Sequence, residues 1–120
     1  MILVDTSVWV QHFRKGFAPL AELLLDGDVA CHPFVAGELA CGNLRSRRNV
    51  LSLLASLPRL PVAGHDEVLT LIEVHRLMGT GLGWVDVHLL ASALISGCRL
   101  WSLDARLRDT AGRLGAGFAP

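Results

Sequence analysis

Four acidic residues stand where an ionised carboxylate is expensive. Asp5 interrupts ILVDTSV, Glu38 lies in VAGELACG, Asp86 in GWVDVHLLASAL and Asp104 in LWSLDARL. A carboxylate among apolar neighbours is costly unless it is paired, hydrogen-bonded or bound to a metal. No Lys or Arg lies within three positions of Glu38 or Asp86, so local ion pairs do not account for those two. Acids gathered in one place repel, and a divalent cation removes the repulsion. Hard oxygen donors favour Mg²⁺, with Mn²⁺ as a substitute, over zinc. A cation held this way neutralises charge at an attacked phosphate and makes water more acidic. Small neighbours leave room for a substrate: Ala36, Gly37 and Ala40 around Glu38, and Gly81 and Gly83 ahead of Asp86.

Each acid also has a plain structural reading. Asp5 could bond to helix N–H groups at the end of a strand, and Glu38 could be a solvated helix residue. Asp86 could complement a helix dipole, and Asp104 could cap the last helix. All four readings together are harder to accept than any one, because the elements expected around them bring at least two of the acids to one place.

Ile2–Val4 is a short apolar run ending at Asp5, the pattern of a buried parallel strand. Thr6 or Ser7 then opens a helix with Trp9 and Phe13 inside, and Leu20, Leu23 and Leu24 mark a second helix. Val29–Cys31 reads as a second strand, and Pro33 suits the first turn of a helix carrying Glu38. A helix begins in Arg45–Arg48, and Leu60–Val62 is a weak third strand. Another helix runs from Asp66 to Gly79, and one from about Asp86 to Ile95. Arg99–Leu103 is a further strand, a helix runs through Leu107 to Leu114, and Ala116–Ala119 is a weak edge strand. Short strands alternating with helices over residues 1–120 imply a single α/β domain. Its short parallel sheet would have four or five strands and helices on both faces. Ligands in such folds bind beyond the carboxyl ends of the strands. Asp5 ends the first strand and Asp104 directly follows the fourth.

Composition narrows the class. Hydrophobic residues make up 52% and charged residues 18%, which suits a packed core and excludes disorder. The apolar excess also implies a covered surface, with Leu20, Leu23 and Leu24 as candidates for a partner interface. Eleven acids balance eleven bases, but a site that gathers four acids leaves seven to face the bases. Ten of those bases are Arg, the residue suited to gripping phosphate in a fixed geometry. Arg45, Arg47 and Arg48 form one basic cluster that could contact a nucleic-acid backbone or simply be solvated. Trp9, Trp84 and Trp101 suit core packing, and Trp84, beside glycines and two residues before Asp86, is the one placed to stack a base. Cys31, Cys41 and Cys98 form no zinc or disulfide framework and suit a reducing cytoplasm. The five histidines show no ligand spacing, and GTGLG lacks the Lys-Ser/Thr of a P-loop, so it reads as a flexible connection. The start has no basic leader, and Leu89–Ile95 is too short to span a membrane.

In order and spacing, the four acidic segments resemble the motifs of PIN-domain ribonucleases, and among them the VapC-type toxins of prokaryotic toxin–antitoxin pairs. ILVDTSVWVQHFR is similar to their first motif, VAGELACG to the segment with their glutamate, GWVDVHLLASAL to the third acidic motif and LWSLDARL to the fourth. The resemblance runs from Ile2 to about Leu107. It implies a PIN-like three-layer fold in which Asp5, Glu38, Asp86 and Asp104 are catalytic residues holding Mg²⁺. It also implies supporting hydroxyls at Thr6 or Ser7 and at Ser102, an RNA substrate, a homodimer and a cognate antitoxin that covers the site. Three rivals stay open at this point: an RNA-maturation nuclease, a non-catalytic PIN-like module that binds RNA or a partner, and a phosphohydrolase acting on small esters.

Overall fold

The computed structural model describes residues 1–120. Strand β1 (Ile2–Val4) leads through α1 (Thr6–Lys15) and α2 (Ala18–Leu25) to β2 (Val29–Ala30). Helices α3 (Pro33–Cys41), α4 (Arg47–Ser56), α5 (His65–His75) and α6 (Trp84–Ser96) follow in turn, then β3 (Arg99–Trp101) and α7 (Ala105–Arg113). The sheet is parallel, in the order β2-β1-β3, with Ile2 opposite Val29 on one side and Arg99 on the other. All three residues of β1 are buried. Successive side chains of a strand point to opposite faces, so helices cover both.

The expected four or five strands reduce to three, each flank carrying only an isolated bridge. Leu60–Val62 forms no strand; Cys31 pairs with Arg59 alone, through Cys31 N–H to Pro58 O at 2.8 Å and Leu60 N–H to Cys31 O at 2.9 Å. The next donor in a parallel ladder falls on residue 33, a proline without an N–H that also starts α3. On the other flank the segment Ala116–Ala119 contributes one bridge, Leu100 to Gly117, and β3 ends one residue later. The tail lies hard against α7 there. A Cβ on Gly117 would sit 3.0 Å from the Gly112 Cα, so any larger residue there would push the tail a few tenths of an ångström off α7.

The core forms around β1 and α6. Residues Val87–Ala93 of α6 are all buried, as expected of a helix enclosed on every side. Trp9 is fully buried and stacks on Phe13, while Trp101 packs between Phe17 and Phe118. Leu20, expected in a partner interface, is instead fully buried, and Leu23 and Leu24 pack partly buried on the core; Leu25 is the exposed member of this helix, at 88%. All three cysteines are free, and no helix is long and apolar enough to cross a membrane.

A buried polar chain sets α3 against α6. Phe34 N–H donates to His32 Nδ1 at 2.9 Å, which leaves the ring proton on Nε2 facing Ser92 Oγ at 3.0 Å. Ser92 passes its own proton to Pro61 O at 2.8 Å. Every donor in the chain therefore meets an acceptor, provided His32 is neutral. Burial, helped by the nearby His88, lowers the His32 pKa to about 4 and keeps it so. The chain thus links the N-cap of the helix that carries Glu38 to the helix that carries Asp86.

Candidate active site

The chain leaves the central strand β1 for β2 on one side and later returns as β3 on the other, so a crevice opens at the carboxyl end of β1. Asp5 is the first residue past that end. It occupies the N-cap position of α1, yet its carboxylate makes no capping bond. Asp5 Oδ2 instead accepts from Ser7 Oγ and Ser102 Oγ, each at 2.7 Å. Both serines in turn accept backbone N–H groups from the turn after β3: Ser7 from Leu103 and Ser102 from Asp104, each at 3.0 Å. With both hydroxyl protons given to Asp5, the 3.4 Å approach of the two serine oxygens is a contact without a proton between them. The helix-capping reading of Asp5 is thereby set aside.

The other three acids come from three other elements. Glu38 is exposed on α3, and its Oε1 accepts from Thr6 Oγ1 at 2.7 Å across the contact between α1 and α3. Asp86 is the third residue of α6, and Gly83 N–H donates to its Oδ2 at 3.1 Å. Asp104 caps α7, its Oδ1 accepting from Arg106 N–H and Leu107 N–H at 3.0 and 3.1 Å. The structural readings of Asp86 and Asp104 are thus correct as far as they go, but they use one oxygen each. The same is true of all four acids. Asp5 Oδ1, Glu38 Oε2, Asp86 Oδ1 and Asp104 Oδ2 accept no hydrogen bond from the protein.

The electrostatics of Asp86 tie the set together. Its pKa is raised, first by burial; the Gly83 N–H works against this, and the charges of Asp5, Asp104 and Glu38 then add to the rise. Each of the other three acids therefore acts on Asp86 across the crevice. No three of the His, Cys, Asp and Glu side chains meet closely enough to hold one ion as they stand. The donor chemistry nevertheless fits a hard divalent cation. Four elements each supply one carboxylate with an unengaged oxygen, the opposite oxygen of each is anchored, and all three other acids lie near enough for their charges to act on Asp86.

The basic and aromatic candidates separate. Arg45 lines a cleft of about 510 Å³ together with Thr6 and Glu38. Arg47 is turned elsewhere: its guanidinium donates to Ala40 O at 2.6 Å and Gly42 O at 3.3 Å, closing the C-terminus of α3. Arg48 lies along α4 beside Leu51 and Ser52, away from that cleft. Trp84 is 41% exposed, unlike the other two tryptophans, and its ring touches His65 and His88. His88 itself is buried and edge-on to Phe34, and its Nδ1 has no partner. The cleft also takes in Arg14, which sequence reading passed over. The spacing Thr6, Val10, Arg14 marks one face of α1 and would have pointed to it.

The profile described as PIN domain matches residues 2–113. Ribonuclease VapC32 of Mycobacterium tuberculosis is 52% identical over 120 residues, covering 99% of this chain and 97% of the relative. Among solved structures, PAE2754 from Pyrobaculum aerophilum aligns with a TM-score of 0.66 at 19% identity, over 96% of this chain and 95% of that one. FitAcB from Neisseria gonorrhoeae aligns with a TM-score of 0.66 at 18% identity, over 93% and 94%. At those identities the two structures speak for the fold.

Proposed function

The chain belongs to the PIN-domain family, and on that premise we propose that it is a VapC-type toxin, an endoribonuclease that hydrolyses RNA phosphodiester bonds with Mg²⁺ held by Asp5, Glu38, Asp86 and Asp104. The observation that carries the reading is the mutual electrostatic influence of those four acids, each with one oxygen anchored and one unengaged, with Asp5 at the carboxyl end of the central strand. RNA as the substrate follows the name of the relative with 52% identity. Bound there, Mg²⁺ or Mn²⁺ would neutralise charge at the attacked phosphate and make water more acidic.

The chain's own residues prepare the place. Ser7 and Ser102 hold the Asp5 carboxylate in one orientation, so that Oδ1 faces away from the two hydroxyls. Thr6 does the same for Glu38, and Gly83 and the first turn of α7 do it for Asp86 and Asp104. Anchoring of this kind removes rotamer freedom before a ligand arrives and so lowers the entropy lost on binding. Arg14 and Arg45, on the cleft that adjoins Glu38, offset the acids where the RNA backbone enters. No histidine hydrogen-bonds to any of the four acids, and we assign protonation of the leaving oxygen to water. In the cell the partner would be a cognate antitoxin, and the exposed apolar side chains Leu25, Val74 and Ile95 are available for it or for a second copy of the chain.

The test is incubation of the purified, partner-free protein with structured and unstructured RNA in Mg²⁺, Mn²⁺ or chelator. Cleavage in metal that is absent in chelator, and lost by at least about 100-fold in Asp5→Asn and Asp86→Asn, is expected for groups that hold the catalytic ion. Full cleavage in chelator, or by both variants, would sink the metal mechanism. Binding of RNA without cleavage under any condition would favour a non-catalytic module.

A further inference from the structure

Arg106 is in an unfavourable place for its helix. It is the second residue of α7, where the positive end of the dipole repels a cation. Its backbone N–H donates to Asp104, but its exposed guanidinium makes no hydrogen bond. It also makes no ion pair: the single one in the molecule, at 3.6 Å, joins Arg108 to Asp109. Its backbone is bonded to Asp104, yet its side chain does not turn back to pair with that acid.

The side chain lies instead across Gly81. A Cβ at that position would come within 2.9 Å of Arg106 Cδ, 3.1 Å of Nε and 3.2 Å of Cζ. Gly81 also has φ +85°, a conformation that favours glycine. The loop read from sequence as a mere flexible connection thus has a seat in it. Two residues further along, Gly83 donates to Asp86, and two residues before Arg106 stands Asp104. The guanidinium is therefore seated on the loop that leads into α6 and Asp86, while its own backbone follows Asp104, and its forked donors are unmatched.

The chemistry that matches such a fork is a phosphate, which offers two acceptor oxygens in one plane. A nucleic-acid strand entering a crevice lined by carboxylates also needs a cation near the phosphates on either side of the reacting one. We propose that Arg106 grips a phosphate of the bound RNA adjacent to the one cleaved, and that Gly81 is the positioning residue that seats its guanidinium there; this rests on the ribonuclease reading above.

The test uses the full chain with Arg106→Ala, Arg106→Lys, Gly81→Ala and the Gly81→Ala/Arg106→Ala pair. Steady-state cleavage is measured in Mg²⁺, and RNA binding is measured in chelator across a salt series. Arg106→Ala should melt with wild type, because it is an exposed surface change. It should raise KM about 10-fold or more, the size of one charge-assisted contact, and lower kcat much less. Its log–log salt slope should be shallower by about 0.7, one phosphate contact to a single strand. Arg106→Lys should restore the slope but not the full affinity, since an ammonium cannot make the forked contact. Gly81→Ala should weaken binding in the same sense, and the double variant should be no worse than Arg106→Ala, the non-additivity of residues acting as one unit. If wild type cleaves RNA in metal and Arg106→Ala matches its KM and salt slope, the role of Arg106 is wrong and the ribonuclease reading stands. If Gly81→Ala and Arg106→Ala add fully, the seat is wrong. A wild type that shows no metal-dependent cleavage overturns the ribonuclease reading and this role with it.

Discussion

Ser102 Oγ donates to Asp5 Oδ2 at 2.7 Å and accepts from Asp104 N–H at 3.0 Å, so one buried hydroxyl past β3 ties the acid after β1 to the acid that opens α7. Replacing Ser102 with Ala removes both bonds and leaves the Asp104 N–H without its partner. The expected cost is about 1–2 kcal/mol of stability, most of it from the buried bond to the Asp5 carboxylate, since the Asp104 N–H is only partly buried. RNA cleavage should fall with it, because Asp5 keeps only the Ser7 hydroxyl. Denaturant melts and initial rates on one RNA check both. A Ser102→Ala protein with wild-type stability and rate would reduce this hydroxyl to a bystander.

Asp86 makes a prediction whose sign depends on metal. A carboxyl whose pKa is raised on folding destabilises the native state once pH climbs past its unfolded value near 4, and the loss is complete above the raised folded value. Metal-free protein should therefore lose stability as pH rises through that window. Asp86→Asn removes the charge while keeping an acceptor for Gly83 N–H. In chelator at neutral pH the variant should be as stable as wild type or more so. Free Mg²⁺ at 100 times its dissociation constant should then add about 2.7 kcal/mol to wild type and little to the variant. Thermal melts in chelator and in excess Mg²⁺ measure this. A strongly destabilised Asp86→Asn in chelator, with neither melt moved by Mg²⁺, would leave Asp86 as a helix-start residue only.

His32 sets an acid limit. Its pKa falls to about 4 on folding, so the unfolded chain takes up a proton at higher pH than the native one does. Stability is fully present above pH ~6.5 and declines as pH falls toward 4. At one pKa unit per 1.4 kcal/mol, the decline from this residue approaches about 3 kcal/mol at the low end. His32→Asn keeps an acceptor for Phe34 N–H, so it should be less stable at pH 7 but flatter with pH between 6.5 and 4. Chemical denaturation across that range decides, and an imidazole resonance of His32 that titrates near 6.5 in the native protein would refute the cause.

Arg45 and Arg47, two residues apart in one basic cluster, should behave differently. Arg47 donates to two carbonyls at the end of α3, so Arg47→Ala should cost about 1–2 kcal/mol, as charged donors do at a helix C-terminus. Arg45 shares the cleft with Glu38, so Arg45→Ala should melt normally and shallow the salt slope of RNA binding by about 0.7. Equal stability loss in both variants, or equal salt slopes, would show that the two side chains are interchangeable.

What could be read along the chain was whatever depends on near neighbours. Short apolar runs marked β1, β2 and β3, and apolar spacing marked the helices. Four acids out of keeping with their surroundings marked the candidate site, since the cost of a lone carboxylate is visible within a few residues. What only the tertiary structure decided were relations between distant residues. Asp5 answers to Ser102 rather than to its own helix, and the next ladder donor beside β2 turns out to be Pro33. Leu20 faces the core instead of a partner, Arg47 closes α3, and Arg106 lies on Gly81. Hydrogen bonds and close contacts act over a few ångströms of space, whatever the separation along the chain. Local sequence can therefore name the groups that need partners, but only packing chooses which partners they meet.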